Sequence, residues 1–141
     1  LVGGEESGGI ALKGNIPERD GIWDGLVILE YLAKTGKTMT QIVQEVYDVV
    51  GAFSYDRNDL HITEELKQQI LKNCAEGKYK AFGKFVVDRV EDIDGYKFHI
   101  GESALMIRAS GTEPVLRVYA QAPDAAGVKE LLEAAKGELL K

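Results

Sequence analysis

The sequence predicts an α+β fold, a two-layer domain with an antiparallel sheet and two helices on one face, preceded by a helical segment. Three observations predict it. Phe53/Tyr55 and Tyr96/Phe98/Ile100 alternate with the period of a strand. Thr63 and Asp124 each stand before an amphipathic stretch in the manner of a helix N-cap. Asp94-Gly95 is a strong hairpin signal between two apolar runs.

In chain order, residues 1–20 are glycine-rich and read as irregular, with Pro17 as a breaker. Asp20 suits the N-cap of a helix through Lys34, with Ile22, Leu26, Leu29 and Ala33 on one face. Ile28 and Leu32 widen that face, so the helix expects a partner to cover it. Gly36 ends it. Thr38 opens a second helix, and Gln41 three residues on completes a capping-box pattern. Ile42, Val46 and Val50 line its inward face, and Gly51 stops it. The domain boundary is placed in the Thr35-Gly36-Lys37 connection, giving segments 1–36 and 37–141.

The second segment starts its sheet with a strand from Ala52 to Arg57. Thr63 caps a helix to Glu76, whose first-turn Glu64 and Glu65 suit the positive helix end. A strand through Val86, Asp88 and Val90 enters the Asp94-Gly95 turn and returns along Tyr96 to Ile100. Ala104 to Arg108 and Val115 to Ala122 form a further hairpin. The last helix, capped by Asp124, buries a stripe of Val128, Leu131, Leu132, Ala135 and Leu139.

Composition narrows the function. The chain has 141 residues, 45% hydrophobic and 28% charged, enough to build a core. A net charge of −6 argues against a general nucleic-acid binder, which needs clustered cations. One anion site remains compatible, because close donors outweigh distant net charge. Cys74 is alone, which excludes an internal disulfide and a thiolate metal cluster; beside Ile70, Leu71 and Ala75 it reads as a buried thiol. No apolar run approaches the roughly 20 residues that span a bilayer, and no signal peptide is present, so a cytoplasmic protein without a membrane partner is expected. The chain opens on Leu1 and enters a Gly-rich loop at once, which reads as a C-terminal piece of a longer protein.

The chemistry concentrates in Arg108-Ala109-Ser110-Gly111-Thr112-Glu113-Pro114-Val115-Leu116-Arg117. Arg108 offers a rigid fork of N–H donors, and Ser110 and Thr112 offer hydroxyls. Gly111 is free to turn successive backbone N–H groups toward one point, making a nest for an oxyanion. The alternative is an ordinary polar hairpin turn, for which Ser, Gly, Thr and Pro are equally suited. Arg117 either touches the same anion or pairs with Glu102 or Asp88.

The segment Arg108 to Pro114 resembles the C-terminal phosphate-binding loop of the α-D-phosphohexomutases, the phosphoglucomutase/phosphomannomutase superfamily. Gly4-Glu5-Glu6-Ser7-Gly8 resembles that family's sugar-binding loop, and Ile16-Pro17-Glu18-Arg19-Asp20-Gly21 the segment after it. The pair stands in the family's order and spacing. The resemblance implies that residues 1–36 are the helical tail of a sugar-binding α/β domain and residues 37–141 a C-terminal phosphate-binding domain. It implies that Arg108, Ser110, Gly111, Thr112 and Arg117 hold the phosphate that is not being transferred. Glu5 and Ser7 would contact sugar hydroxyls, and Arg19 would approach the substrate or form a surface pair with Asp20.

Gly9 stands where many phosphomannomutase-like members carry His, and Asn15 where several phosphoglucomutases do; the Glu-Glu-Ser form and Arg19-Asp20-Gly21-Ile22-Trp23 favour a phosphoglucomutase. The family transfers phosphoryl from a phosphoserine with Mg²⁺ on an Asp-x-Asp-x-Asp loop, and neither motif occurs here. Asp92-Ile93-Asp94-Gly95 only echoes the metal loop and reads better as a hairpin turn. No catalytic residue is therefore assigned. Mg²⁺ and hexose 1,6-bisphosphate are cofactors expected of the full-length enzyme, and no residue of this chain is expected to hold them. The expected partners are a phosphosugar and the N-terminal domains of the same protein, with a non-catalytic phosphosugar-binding module as the alternative. Whether the sugar is glucose, mannose or glucosamine phosphate is not written in these residues.

Overall fold

The computed structural model describes residues 1–4, 8–110 and 115–141. The chain divides into two compact units, Leu1–Gly51 and Ala52–Lys141. The division therefore falls at Gly51 rather than in the Thr35-Gly36-Lys37 connection. The reason is tertiary: Tyr31 of the first helix lines one cavity with Ile42, Val46 and Val50 of the second, and Lys37 pairs with Glu45.

In the first unit, strands β1 (Val2–Gly4) and β2 (Ile10–Leu12) pair antiparallel, with Val2 opposite Leu12. The glycines had suggested irregular chain; the ladder instead runs through Gly3 and Gly4, opposite Ala11 and Ile10. Helix α1 (Gly21–Thr35) begins as expected, the Asp20 carboxylate accepting the Ile22 and Trp23 N–H groups at 3.1 and 3.0 Å. Gly36 closes it in the left-handed region, at φ 66°. Helix α2 (Met39–Val50) carries both halves of the Thr38/Gln41 capping box. Among the described residues neither helix has a buried side chain, and Ile22 and Leu29 remain 82% and 61% exposed. Among the described residues much of the broad apolar face of α1 is therefore exposed.

The second unit is a two-layer α+β domain. Its elements are β3 (Ser54–His61), α3 (Glu64–Ala75), β4 (Ala81–Phe82), β5 (Phe85–Val86), β6 (Arg89–Glu91), β7 (Tyr96–Ile100), β8 (Ser103–Ala109), β9 (Val115–Ala122) and α4 (Ala125–Leu139). Five strands form one antiparallel sheet in the order β3-β9-β8-β7-β6. Alternation sends Leu60, Phe98, Leu105, Ile107, Leu116 and Val118 to one face. There they share a core with Ile70 and Cys74 of α3 and Val128, Leu131 and Ala135 of α4, so both helices cover that face. Strand β3 runs on to His61 because its pairing with β9 continues to Val115. The β4–β5 hairpin is an addition to the sequence reading, which had joined Val86 to the strand of Val90. Asp88 separates them: its N–H donates to the His99 carbonyl at 2.8 Å and its carboxylate accepts from Gly101 N–H at 2.6 Å.

Cys74 is 3% exposed, and burial pushes its thiol from the ordinary 9.0 up to about 12. The unfolded thiol ionises first as pH rises, so the contribution of this burial is fully present below pH 9 and is lost toward pH 12. Iodoacetamide at pH 8 is expected to leave Cys74 intact in the folded chain and to modify it after unfolding in urea. Rapid modification of the folded chain would contradict the burial.

Candidate functional site

The β8–β9 hairpin sets its two arginines directly across from each other, with Arg108 the register partner of Arg117. Both lie on the sheet face away from the helices, because their neighbours Ile107, Leu116 and Val118 face the core. The same row continues through β3, where Asp59 is the partner of Arg117. At its other end, Gly95 lies one residue before the Tyr96–Ile107 pair and so beside Arg108. Like charges directly opposite in a ladder destabilise it. Two carboxylates temper this pair. Asp94 Oδ1 lies 3.5 Å from Arg108 Nε. Asp59 stands across from Arg117 and also meets Arg57 Nε at 3.0 Å. Among the described residues, Arg57, Arg108 and Arg117 thus gather beside Asp59 and Asp94 along this part of the sheet, a concentration of guanidinium groups that suits an anion.

The sequence had offered Glu102 or Asp88 as partners for Arg117. The register puts Asp59 there instead, while the Asp88 carboxylate is taken up by Gly101 N–H. Ser110 follows β8 immediately, and its N–H donates to the Val115 carbonyl at 3.0 Å. That bond closes the hairpin, so the group Ser110 can offer a ligand is its hydroxyl. Gly111 and Thr112 lie outside the described residues, as do Glu113 and Pro114. The nest expected around Gly111 therefore stays an expectation of the sequence.

Glu5 and Ser7 of the other motif also lie outside the described residues. Its flanks are described. Arg19 lies across the backbone of Gly9: a Cβ at that glycine would stand 2.5 Å from Arg19 Cδ. A shallow cavity of about 220 Å³ opens beside them, lined also by Gly3, Gly4 and Pro17. Arg19 Nε meets Glu18 Oε1 at 3.3 Å, and the Arg19 N–H together with this contact holds the Glu18 carboxyl below the usual range. The Asp20 carboxylate has other work, capping α1 and accepting from Asn15 Nδ2 at 2.9 Å. The Trp23 N–H, and then Asn15, hold it below the usual carboxylate range. A surface pair between Arg19 and Asp20 is thus replaced by one between Arg19 and Glu18.

Two residues escaped sequence reading. Asp59 and Asp94 are distant in sequence from the arginines they face, and only strand register brings them near. His61 and His99 lie in the sheet, His61 opposite Val115 within the Arg108–Arg117 segment and His99 Nε2 at 3.2 Å from Glu91. Among the described residues, no group of three or more His, Cys, Asp or Glu side chains is arranged to hold a metal ion. No described helix is long and apolar enough to cross a membrane.

Residues 56–137 match the family model of the phosphoglucomutase/phosphomannomutase C-terminal domain. The chain belongs to the phosphoglucomutase/phosphomannomutase family. Residues 1–50 match that family's alpha/beta/alpha domain III, so the compact units divide in the short interval between the two matches. A phosphoglucomutase/phosphomannomutase of Thermococcus kodakarensis is 26% identical over 94% of this chain and 27% of its own length. A phosphoglucosamine mutase of Methanococcus vannielii is 32% identical over 94% of this chain and 28% of its own. A crystal structure from Thermus thermophilus, provisionally named a phosphomannomutase, superposes with a TM-score of 0.75 at 30% identity. The match covers 100% of this chain and 27% of that one. The chain thus spans little more than a quarter of the length of these relatives, and it corresponds to the C-terminal portion of the family's fold.

Proposed function

We propose that this chain supplies phosphate and sugar-hydroxyl binding to a phosphohexomutase that interconverts hexose 1-phosphate and hexose 6-phosphate. The observation that carries the reading is the cross-strand pair of Arg108 and Arg117 at the base of the Arg-Ala-Ser-Gly-Thr-Glu-Pro loop. Two opposed guanidinium groups disfavour the empty hairpin and favour a dianion lying against both. In this reading Arg108 and Arg117 grip the phosphate that is not transferred, with Ser110, Gly111 and Thr112 completing the cradle. Glu5 and Ser7 bind sugar ring hydroxyls, and Arg19 approaches the substrate.

The proposed reaction passes through a phosphoserine and a bisphosphorylated sugar, both handled by domains that precede this chain. A clamp that releases and regrips suits an intermediate that must turn round between two phosphoryl transfers. The serine loop and the Mg²⁺ loop are outside this sequence, so no chemical step is assigned to its residues. A cytoplasmic location is part of the same proposal. Glucose phosphate is the proposed substrate; names among the relatives also include phosphomannomutase and phosphoglucosamine mutase.

Coupled assays with glucose, mannose and glucosamine phosphates test the reading. The full-length protein is expected to turn over glucose phosphates fastest, and the 141-residue chain none of them. Phosphosugar binding without turnover in the full-length protein would instead favour a non-catalytic binding module.

A further inference from the structure

The turn between β6 and β7 touches the proposed phosphate site from outside the phosphate loop. Gly95 has φ 86°, and a Cβ built on it would stand 2.6 Å from the Ile107 carbonyl oxygen and 3.3 Å from Arg108 Cα and Cβ. The turn backbone is therefore pressed against the base of the Arg108 side chain, at a place where only glycine fits. One residue earlier, Asp94 Oδ1 reaches Arg108 Nε at 3.5 Å. The turn has little to do with the core: Asp94 is 68% exposed and Ile93 94% exposed. An exposed ion pair of this kind adds little to stability. Its geometry matters more. A carboxylate beside Nε favours the rotamers that keep this long side chain near the turn, and leaves the two Nη groups, which suit two oxyanion oxygens, to another partner.

We propose that Asp94, carried by the close-packed Gly95 turn, is a positioning residue that aims the Arg108 guanidinium at phosphate. The inference rests on the reading of Arg108 as a phosphate ligand. Two opposing effects follow from removing Asp94. Losing its negative charge favours an incoming anion, but that charge is exposed and screened. Losing the restraint on Arg108 weakens binding, and this effect is the larger.

The test is titration of the 141-residue chain with inorganic phosphate at fixed ionic strength, followed by ¹H–¹⁵N spectra that include arginine Nε–Hε signals. Asp94→Ala is expected to raise the phosphate Kd about five-fold and to shift the Arg108 Nε–Hε signal before phosphate is added, with thermal stability unchanged. Asp94→Asn keeps an acceptor at the same place and is expected to stay within about two-fold of the parent. A Kd for Asp94→Ala within about two-fold of the parent, or tighter, overturns the positioning role. Arg108→Ala separates the two ideas. If it weakens phosphate binding while Asp94→Ala does not, only the positioning role fails. If it too leaves affinity unchanged, or the parent shows no saturable binding, the phosphate reading itself fails.

Discussion

Arg108→Ala is expected to weaken phosphate binding by about 10- to 100-fold, the loss of one charge-assisted contact to a dianion. The effect should come without loss of fold. The Arg108 side chain is 41% exposed, its pair with Asp94 is exposed, and its removal relieves a like-charge opposition with Arg117. A ligand that binds the folded state raises the unfolding temperature, so the parent chain should melt higher in phosphate than in chloride of equal ionic strength. In Arg108→Ala that increment should nearly vanish, while the midpoint without phosphate stays at or slightly above the parent's. Arg108→Lys keeps the charge and loses the fork, and should recover only part of the increment. An unchanged increment in Arg108→Ala would remove the arginine from the site.

The largest effect on stability is expected from Phe98→Ala. Phe98 is fully buried at the centre of the helix-facing layer. Its ring meets Phe82 edge to face at 5.1 Å between centroids, and Tyr79 likewise at 6.4 Å. Truncation removes both aromatic contacts and leaves a cavity walled by two rings and a sheet, at a cost of roughly 3–5 kcal/mol. Urea unfolding monitored on the second unit should show the midpoint fall by the corresponding amount at constant slope. A loss under about 1 kcal/mol would mean that the β4–β5 hairpin, which carries Phe82, closes over the gap.

What the sequence made legible is mostly what is decided within a few residues. The caps at Asp20, Thr38, Thr63 and Asp124 all act as read, because each needs only its own side chain and an N–H two or three positions on. The Asp94-Gly95 turn and the alternation of β7 to β9 are local in the same sense, and with them came the two-layer plan. Register is different. That Asp59 faces Arg117, and Gly95 packs beside Arg108, depends on which strands pair and at what offset, which no single segment contains. The division at Gly51 likewise depends on α1 and α2 belonging together, a tertiary fact invisible at Gly36. The motif pointed to Arg108 through its own chemistry, a fork of donors beside hydroxyls and glycine. It gave no sign that the β6–β7 turn would hold that side chain from behind.

The central claim is that the face bearing Arg108 and Arg117 grips phosphate. Titration of the chain with inorganic phosphate, read from arginine Nε–Hε signals, tests it most directly. Saturable shifts confined to Arg108, Arg117 and the amides of Ser110 to Thr112, with Arg89 at the far edge of the sheet unmoved, are the predicted result. Shifts that fail to saturate, or that fall equally on Arg89, would contradict it.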